Sequence, residues 1–312
     1  GNPIATVPEM DVQLSVPALL KGMIAATTVD LYGVTLRLER TAEGGVSFGL
    51  QTPASDTRPP QLAPSFVGPL VEALAEPPDL GTPLGYFRRL RIRDGKVVYV
   101  ERVNQFELLA EEADITLRRG ARGVYGEMST SVPYHKGAAD LQLQGRLPYG
   151  SDTLELKASL KNGNPAGFSK VADVFAAYGP FDVDIDAEAT MTVDRLGSVR
   201  QATLDVEAGE GAVYLPDLRS EPVKLDRARV QLDLDVQKET LAVNELTFAA
   251  EGNSARITGD ISYEPGAGLW ISKADADLVA EAPVVCRQLA RIADVVVPHA
   301  AAGVLPPRPD AR

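Results

Sequence analysis

The chain has 312 residues, of which 45% are hydrophobic and 24% charged, and its formal net charge is −12. This composition is that of a globular protein rather than a wholly disordered one. An acidic chain has no electrostatic reason to bind nucleic acid or an anionic lipid surface, so we expect no nucleic-acid partner. The single cysteine excludes an internal disulfide.

Residues 1–50 predict a partial N-terminal β unit. Val29 and Leu31, and then Val34, Leu36 and Leu38, alternate with polar residues as in a half-buried strand. Residues 51–85 predict a linker, because their eight prolines exclude a central strand and leave room only for one short helix near residues 69–76.

Two copies of one repeat are predicted over residues 86–180 and 181–298. The order of apolar residues in 93–149 matches that in 208–263. In both copies the apolar positions step by two and then jump by three, from Ala110 to Ala113 and from Leu225 to Ala228. A β-bulge or a tight bend produces such a slip, so we expect an irregularity at both places.

Each copy also contains a segment whose apolar period changes from two to about 3.6. These segments, 165–178 and 283–295, both begin with proline, which suits a first helical turn. The sequence therefore predicts a helix in each copy. Residues 299–312, rich in proline and charge, are predicted to be a disordered tail.

The clearest strand is residues 182–194, in which apolar residues occupy one face and Asp, Glu or Thr the other. At about 3.3 Å per residue it spans roughly 43 Å. Similar alternation elsewhere predicts an antiparallel sheet with one apolar face and one polar, solvent-facing side, which we call the wet face. The predicted fold class is mainly β: repeated long antiparallel sheet units, curved into an open trough or packed as a sandwich, with two or three short helices.

Residues able to carry chemistry are few. His135 lies in a turn, His299 in the tail, and Cys286 on the apolar face of a predicted helix, where a buried structural thiol is the favoured interpretation. Asp182, Asp184 and Asp186 have the first spacings of a calcium loop, but the glycine and glutamate that the loop needs are missing. We therefore predict no catalytic residue, no metal, no cofactor and no enzymatic activity.

The apolar face allows two interpretations. It is either the core of a sandwich, which needs a second sheet to cover it, or the lining of a trough that is left for acyl chains. The candidate lining residues are Leu141, Leu143, Val183, Ile185, Ala187, Ala189, Met191, Val193, Val230, Leu232, Leu234, Ile257 and Ile261.

The sequence resembles the AsmA-like family of bacterial envelope proteins, in particular its YhdP-type members. The resemblance lies in residues 10–15 (MDVQLS), 18–22 (ALLKG), 29–40 (VDLYGVTLRLER) and 90–99 (LRIRDGKVVY), and extends over most of 4–298. It implies a periplasmic β-rich trough that is anchored in the inner membrane and moves phospholipid towards the outer membrane. We expect the chain to be a piece of such a protein, with the anchor outside it.

The resemblance leads to a functional expectation. Phospholipid acyl chains are the expected partners, and alkyl chains would pass along the apolar face without an energy source. Envelope proteins are possible further partners. The alternative is a non-enzymatic β-sandwich scaffold that binds an envelope protein through its strand edges.

Overall fold

A computed structural model describes residues 9–40, 46–51, 73–102, 105–194, 198–214, 220–264 and 269–279. The fold is mainly β, as predicted. Two short α-helices are described, α1 (Val16–Leu20) and α2 (Pro165–Phe168). Residues 83–86 and 173–178 are 3-10 helices, and residues 73–75 are helical.

Fifteen strands make up the described sheet. They are β1 (Glu9–Leu14), β2 (Ala26–Tyr32), β3 (Thr35–Arg40), β4 (Val46–Gln51), β5 (Arg89–Glu101), β6 (Phe106–Arg119), β7 (Gly123–Tyr134), β8 (Gly137–Pro148), β9 (Thr153–Gly163), β10 (Phe181–Asp194), β11 (Val199–Val213), β12 (Val223–Asp235), β13 (Thr240–Ala250), β14 (Asn253–Glu264) and β15 (Leu269–Val279).

The hydrogen-bonded order is β1-β2-β5-β6-β7-β8-β9-β10-β11-β12-β13-β14-β15, and β3 and β4 form a hairpin beside β5. From β5 onward the order follows the chain, as in a meander of consecutive strands. Many of these strands have 11 to 15 residues, against a usual five or six. The long strands predicted from the alternation are therefore confirmed.

Pairing is mostly antiparallel, and β5 is the exception. Its first half pairs in parallel with β2 and its second half in parallel with β3. The chain bends between β2 and β3 at Gly33, whose φ of +63° lies in the left-handed region that glycine tolerates. The Gly33 N–H donates to the carbonyl oxygen of Arg93 over 3.0 Å, so the hydrogen bonding to β5 continues through the bend.

Both phase slips of the repeat lie at irregularities in strand pairing. In β6 the pairing with β7 shifts between Glu111 and Asp114, and Glu112 has a φ of +57°. In β12 the pairing with β13 shifts between Leu225 and Arg227. The prediction of an irregularity at each slip is confirmed, and each segment forms four strands that are consecutive in the sheet.

The chain divides into two compact units. Unit 1 comprises residues 1–133, 138–158 and 193–198, and unit 2 comprises residues 134–137, 159–192 and 199–312. The boundaries differ from the predicted repeats, which divide the chain at residue 180. Because the strands of a meander pair with both neighbours, a unit that is compact in space need not end where a sequence repeat ends.

Unit 1 includes part of the segment that was predicted to be a linker. Leu74 and Phe87 are buried against Val124, with Leu90 and Leu117 of the sheet packed around them. The guanidinium of Arg119 donates to the carbonyl oxygens of Leu84 and Glu76, over 3.0 and 2.6 Å. Leu74 and Phe87, near the two ends of 73–87, therefore belong to the core of unit 1 because they cover sheet residues, whereas residues 79–83 between them are exposed.

The single helix predicted over 165–178 is wrong in extent. Helix α2 ends at Phe168, Ala172 is extended, and a 3-10 helix covers 173–178. Helix α2 packs against β7: a Cβ on Gly167 would lie 2.4 Å from the ring of Tyr134, whose ring centroid is 5.0 Å from that of Phe168. The predicted helix 283–295 and the predicted tail 299–312 lie outside the described residues.

Candidate functional site

Strand β10 has the alternation that its sequence predicts. Asp182, Asp184, Glu188 and Thr190 are exposed. On the other face the apolar residues at the two ends are buried and the four between them half-buried: Val183 and Val193 at the ends, and Ile185, Ala187, Ala189 and Met191 between.

The aliphatic face continues from β10 into β11. Thr190 and Thr203 are hydrogen-bonded through their hydroxyl groups, so both lie on the wet face. Because side chains alternate along a strand, Ala202 and Leu204 lie on the same face as Ala189 and Met191.

Strands β12 to β14 extend the same face. Leu204 lies opposite Leu232, and Leu232 opposite Val243. We call this surface the apolar face of unit 2. Its members are Ile185, Ala187, Ala189, Met191, Ala202, Leu204, Val206, Val230, Leu232, Leu234, Leu241, Val243, Leu246 and Ile257.

Burial on the apolar face of unit 2 is partial. Leu232, Leu241 and Val243 form a buried cluster, whereas most of the other members are half-buried. Neighbouring strands cover the flanks of a side chain in a single-layer sheet but leave its tip accessible. All the strands in the described part of the chain belong to one hydrogen-bonded sheet, so within that part no separate second sheet covers this face.

The predicted lining residues are brought together in part. Val230, Leu232, Leu234 and Ile257 join the β10 residues on the apolar face of unit 2. Leu141 and Leu143 are half-buried on β8, which lies in unit 1 and alternates as predicted with exposed residues. Val193, at the end of β10, belongs to unit 1 rather than to unit 2. The backbone of Ile261 pairs with Leu241, and its side chain lies outside the described residues.

Sequence reasoning missed two strands of the face. In β11, Ala202, Leu204 and Val206 alternate plainly, and the same rule that found β10 would have found them. In β13 the pairing with β14 shifts between Val243 and Leu246, so the apolar step changes from two to three. A bulge of this kind conceals alternation from a strict period of two.

The wet face carries the acidic residues in hydrogen-bonded ladders. Arg229 donates two hydrogen bonds to Asp205, over 3.2 and 2.7 Å, and lowers the pKa of that carboxyl below its ordinary value. The Lys161 ammonium donates a hydrogen bond to Asp186 over 3.0 Å and likewise lowers the pKa of that carboxyl. Asn164 donates to Asp182 over 3.1 Å and to Asp184 over 3.4 Å. The strand interpretation of this Asp-rich sequence therefore fits better than a calcium loop.

A cavity of about 540 Å³ is lined partly by the wet face of β11 to β14. Two arginines of its lining lie beside glutamates, with Arg229 3.5 Å from Glu207 and Arg256 3.7 Å from Glu245, and Arg227 adds a further positive charge. We assign the cavity no function.

Of the three residues considered for chemistry, the structure describes His135. His135 is exposed in the turn between β7 and β8, where its backbone N–H donates to the carbonyl oxygen of Gly167. Cys286 and His299 lie outside the described residues. In the described ranges no three His, Cys, Asp or Glu side chains are grouped so as to hold a metal ion. No helix within those ranges has the length and apolarity needed to cross a membrane.

Comparison of the chain with protein-family models, with curated proteins and with solved structures gives no match.

Proposed function

We propose that the protein is a non-enzymatic lipid-conducting segment, in which phospholipid acyl chains lie against the apolar face of unit 2. One observation carries this proposal. Ile185, Ala187, Ala189 and Met191 form the middle of a continuous aliphatic row, yet they are only half-buried. A face that is aliphatic over five strands and incompletely covered by protein suits an alkyl chain.

The physical basis of the proposed binding is the hydrophobic effect. Each methylene group that leaves water for this face gains about 0.8 kcal/mol. The half-buried part of the row along β10 runs from Ile185 to Met191, which at roughly 3.3 Å per residue is about 20 Å of surface for an extended acyl chain. Headgroups would remain in water at the rim. The ladders of the wet face, such as Asp205 with Arg229, hold neighbouring strands in register beneath such a ligand.

The wider assignment rests on the sequence resemblance. We propose an AsmA-like protein of the bacterial periplasm, anchored in the inner membrane by a segment outside this chain, that conducts phospholipid passively towards the outer membrane. The low count of aromatic residues, 6% of the chain, is compatible with a surface that holds lipid loosely rather than in one fixed pose.

Extraction of lipid from the purified full chain tests the proposal. Mass spectrometry of an organic extract should detect phospholipid with the parent protein and much less with the variant Ala189→Asp/Met191→Asp. The matched control Thr190→Asp adds a carboxylate to the wet face of the same strand and should retain the lipid. A parent protein without lipid, or equal lipid in all three, would contradict the proposal.

A second candidate function is an interaction scaffold, and the exposed position of β1 at the end of the strand order favours it. This strand ends the hydrogen-bonded order and within the described chain pairs only with β2, and all six of its residues are exposed. A strand of an envelope protein could add to this edge. Replacing Val12 by proline would remove such binding because proline has no N–H to donate, and would leave the lipid of the apolar face unchanged.

A further inference from the structure

The turn that joins β1 to β2 is held by hydrogen bonds and carries exposed apolar side chains. Ser15, which is buried, caps helix α1 by accepting a hydrogen bond from the Ala18 N–H over 3.2 Å. The Ser15 N–H donates to the carbonyl oxygen of Ala25 over 2.8 Å, which closes the base of the turn. Ala18 and Ala25 pack against Tyr86 in a small buried cluster. The backbone of the turn is therefore fixed.

Met23 packs against that cluster, whereas four other large side chains of the turn are exposed. Leu20 is 84% exposed, Ile24 76%, Val16 65% and Leu19 46%. We call these four residues the apolar tip. Single exposed aliphatic residues are ordinary in soluble proteins, but four of them within the nine residues 16–24 point to an interaction site.

The charge around the apolar tip differs from that of the rest of the chain. Residues 12–29 contain no Asp or Glu although the chain has a net charge of −12, and their only charged residue is Lys21. The Lys21 ammonium lies 5.7 Å from the centroid of the Tyr86 ring, beside the tip. This segment has no local carboxylate to repel an anionic surface and one cation to attract it.

We infer that the apolar tip docks the protein on a phospholipid bilayer, with Val16, Leu19, Leu20 and Ile24 inserted among the acyl chains and Lys21 at the headgroups. A short turn with aliphatic residues at its apex and a flanking lysine has the amphipathic composition of interfacial anchors. The docking depends only on this turn, and it would stand even if the apolar face of unit 2 carried no lipid.

A bilayer fits the tip better than a second copy of the chain or an added strand. Specific protein interfaces bury about 800 Å² per partner, and four aliphatic side chains offer less than that. A strand that paired with the edge of β1 would cover Met10, Val12 and Leu14, which are less exposed than Leu20 and Ile24. Insertion into lipid requires no minimum buried area, because each methylene group that is buried contributes separately to the binding free energy.

Sedimentation of the full chain with vesicles tests the inference. Binding to vesicles of phosphatidylcholine mixed with phosphatidylglycerol should fall at least about tenfold in the variant Leu20→Ser/Ile24→Ser. The matched control Leu80→Ser/Leu109→Ser changes two other exposed leucines, which are 46% and 41% exposed, and should bind as the parent does. Lys21→Ala should weaken binding to the mixed vesicles more than binding to pure phosphatidylcholine.

A fluorescence experiment gives an independent readout. The chain has one tryptophan, Trp270, so Leu20→Trp in a Trp270→Phe background places a single reporter in the tip. Its emission should shift to the blue on addition of vesicles and be quenched by brominated acyl chains. An unshifted emission, or equal sedimentation of the tip variant and the parent, would overturn the inference. Self-association that the tip variant abolishes, without vesicle binding by the parent, would also overturn it in favour of a second copy.

Discussion

The hydroxyl oxygens of Thr190 and Thr203 lie 2.6 Å apart across β10 and β11. This contact places both threonines on the wet face of unit 2. Since neighbouring residues of a strand point to opposite faces, it also places Ala189 and Met191 beside Ala202 and Leu204 on the apolar face. One polar pair thus establishes that the aliphatic rows of two long strands are adjacent.

Aspartate substitutions should distinguish the covered and uncovered parts of the apolar surface. Ala189 is half-buried, so the carboxylate of Ala189→Asp remains in contact with water and should lower the free energy of unfolding only slightly. Val213 is 1% exposed and packs in a buried cluster with Val183 and Leu225. Val213→Asp should destabilise the fold by several kcal/mol, because it buries an unpaired charge. Chemical denaturation followed by circular dichroism measures both. Equal losses in the two variants would show that the face is sealed at Ala189.

Two glycines of β11 should differ sharply in their tolerance of a side chain. A Cβ on Gly211 would lie 2.6 Å from the carbonyl oxygen of Asp182 and 2.7 Å from the Cβ of Val183, whereas a Cβ on Gly209 would meet nothing within 4 Å. Gly211→Ala should therefore lower the melting temperature by several degrees, since backbone must move. Gly209→Ala should be neutral or slightly stabilising, because alanine restricts the unfolded chain. A destabilised Gly209→Ala with an unaffected Gly211→Ala would contradict the packing of β10 on β11.

The ion pair of Asp30 with Arg91 should make stability depend on pH. Arg91 donates two hydrogen bonds to the nearly buried Asp30 carboxylate, over 2.7 and 2.6 Å, and these hold the pKa of Asp30 below its ordinary value. A carboxyl whose pKa is lowered by folding stabilises the fold above its unfolded pKa, and this contribution is lost as the pH falls through the folded pKa.

Asp30→Asn should therefore lower the melting temperature by a few degrees at neutral pH, and the difference from the parent should shrink in the acid range. Melting curves across pH measure this, with Asp226→Asn, at an exposed position of β12, as the control. A difference that stays constant down to the most acid pH would contradict the role of the Asp30 charge.

Much of the sheet could be predicted from the sequence because long strands with one wet face show an undisturbed period of two. β10 is the clearest case, since every second residue from Val183 to Val193 is apolar. The phase slips at Ala110 and Leu225 were informative for the same reason, because a bulge leaves a visible defect in an otherwise regular pattern.

Other features depend on contacts that are distant in the sequence. Strand β5 pairs in parallel with β2 and β3, whose residues lie about 60 positions earlier in the chain. The alternation within one strand looks the same whether that strand pairs in parallel or antiparallel, so the sequence did not predict this pairing. The packing of the 165–168 helix depends on Tyr134, which lies where Gly167 has no side chain. Helix α1 is only five residues long, too short for a period of 3.6 to be recognised.

Site-specific photocrosslinking from position 191 tests the central claim most directly. A diazirine side chain replaces Met191 on the apolar face or, as the matched control, Thr190 on the wet face of the same strand, and the full chain is irradiated with phospholipid vesicles. The account predicts a phospholipid adduct at position 191 and little or none at position 190. No adduct at position 191, or equal adducts at both positions, would contradict the proposal that lipid lies on this face.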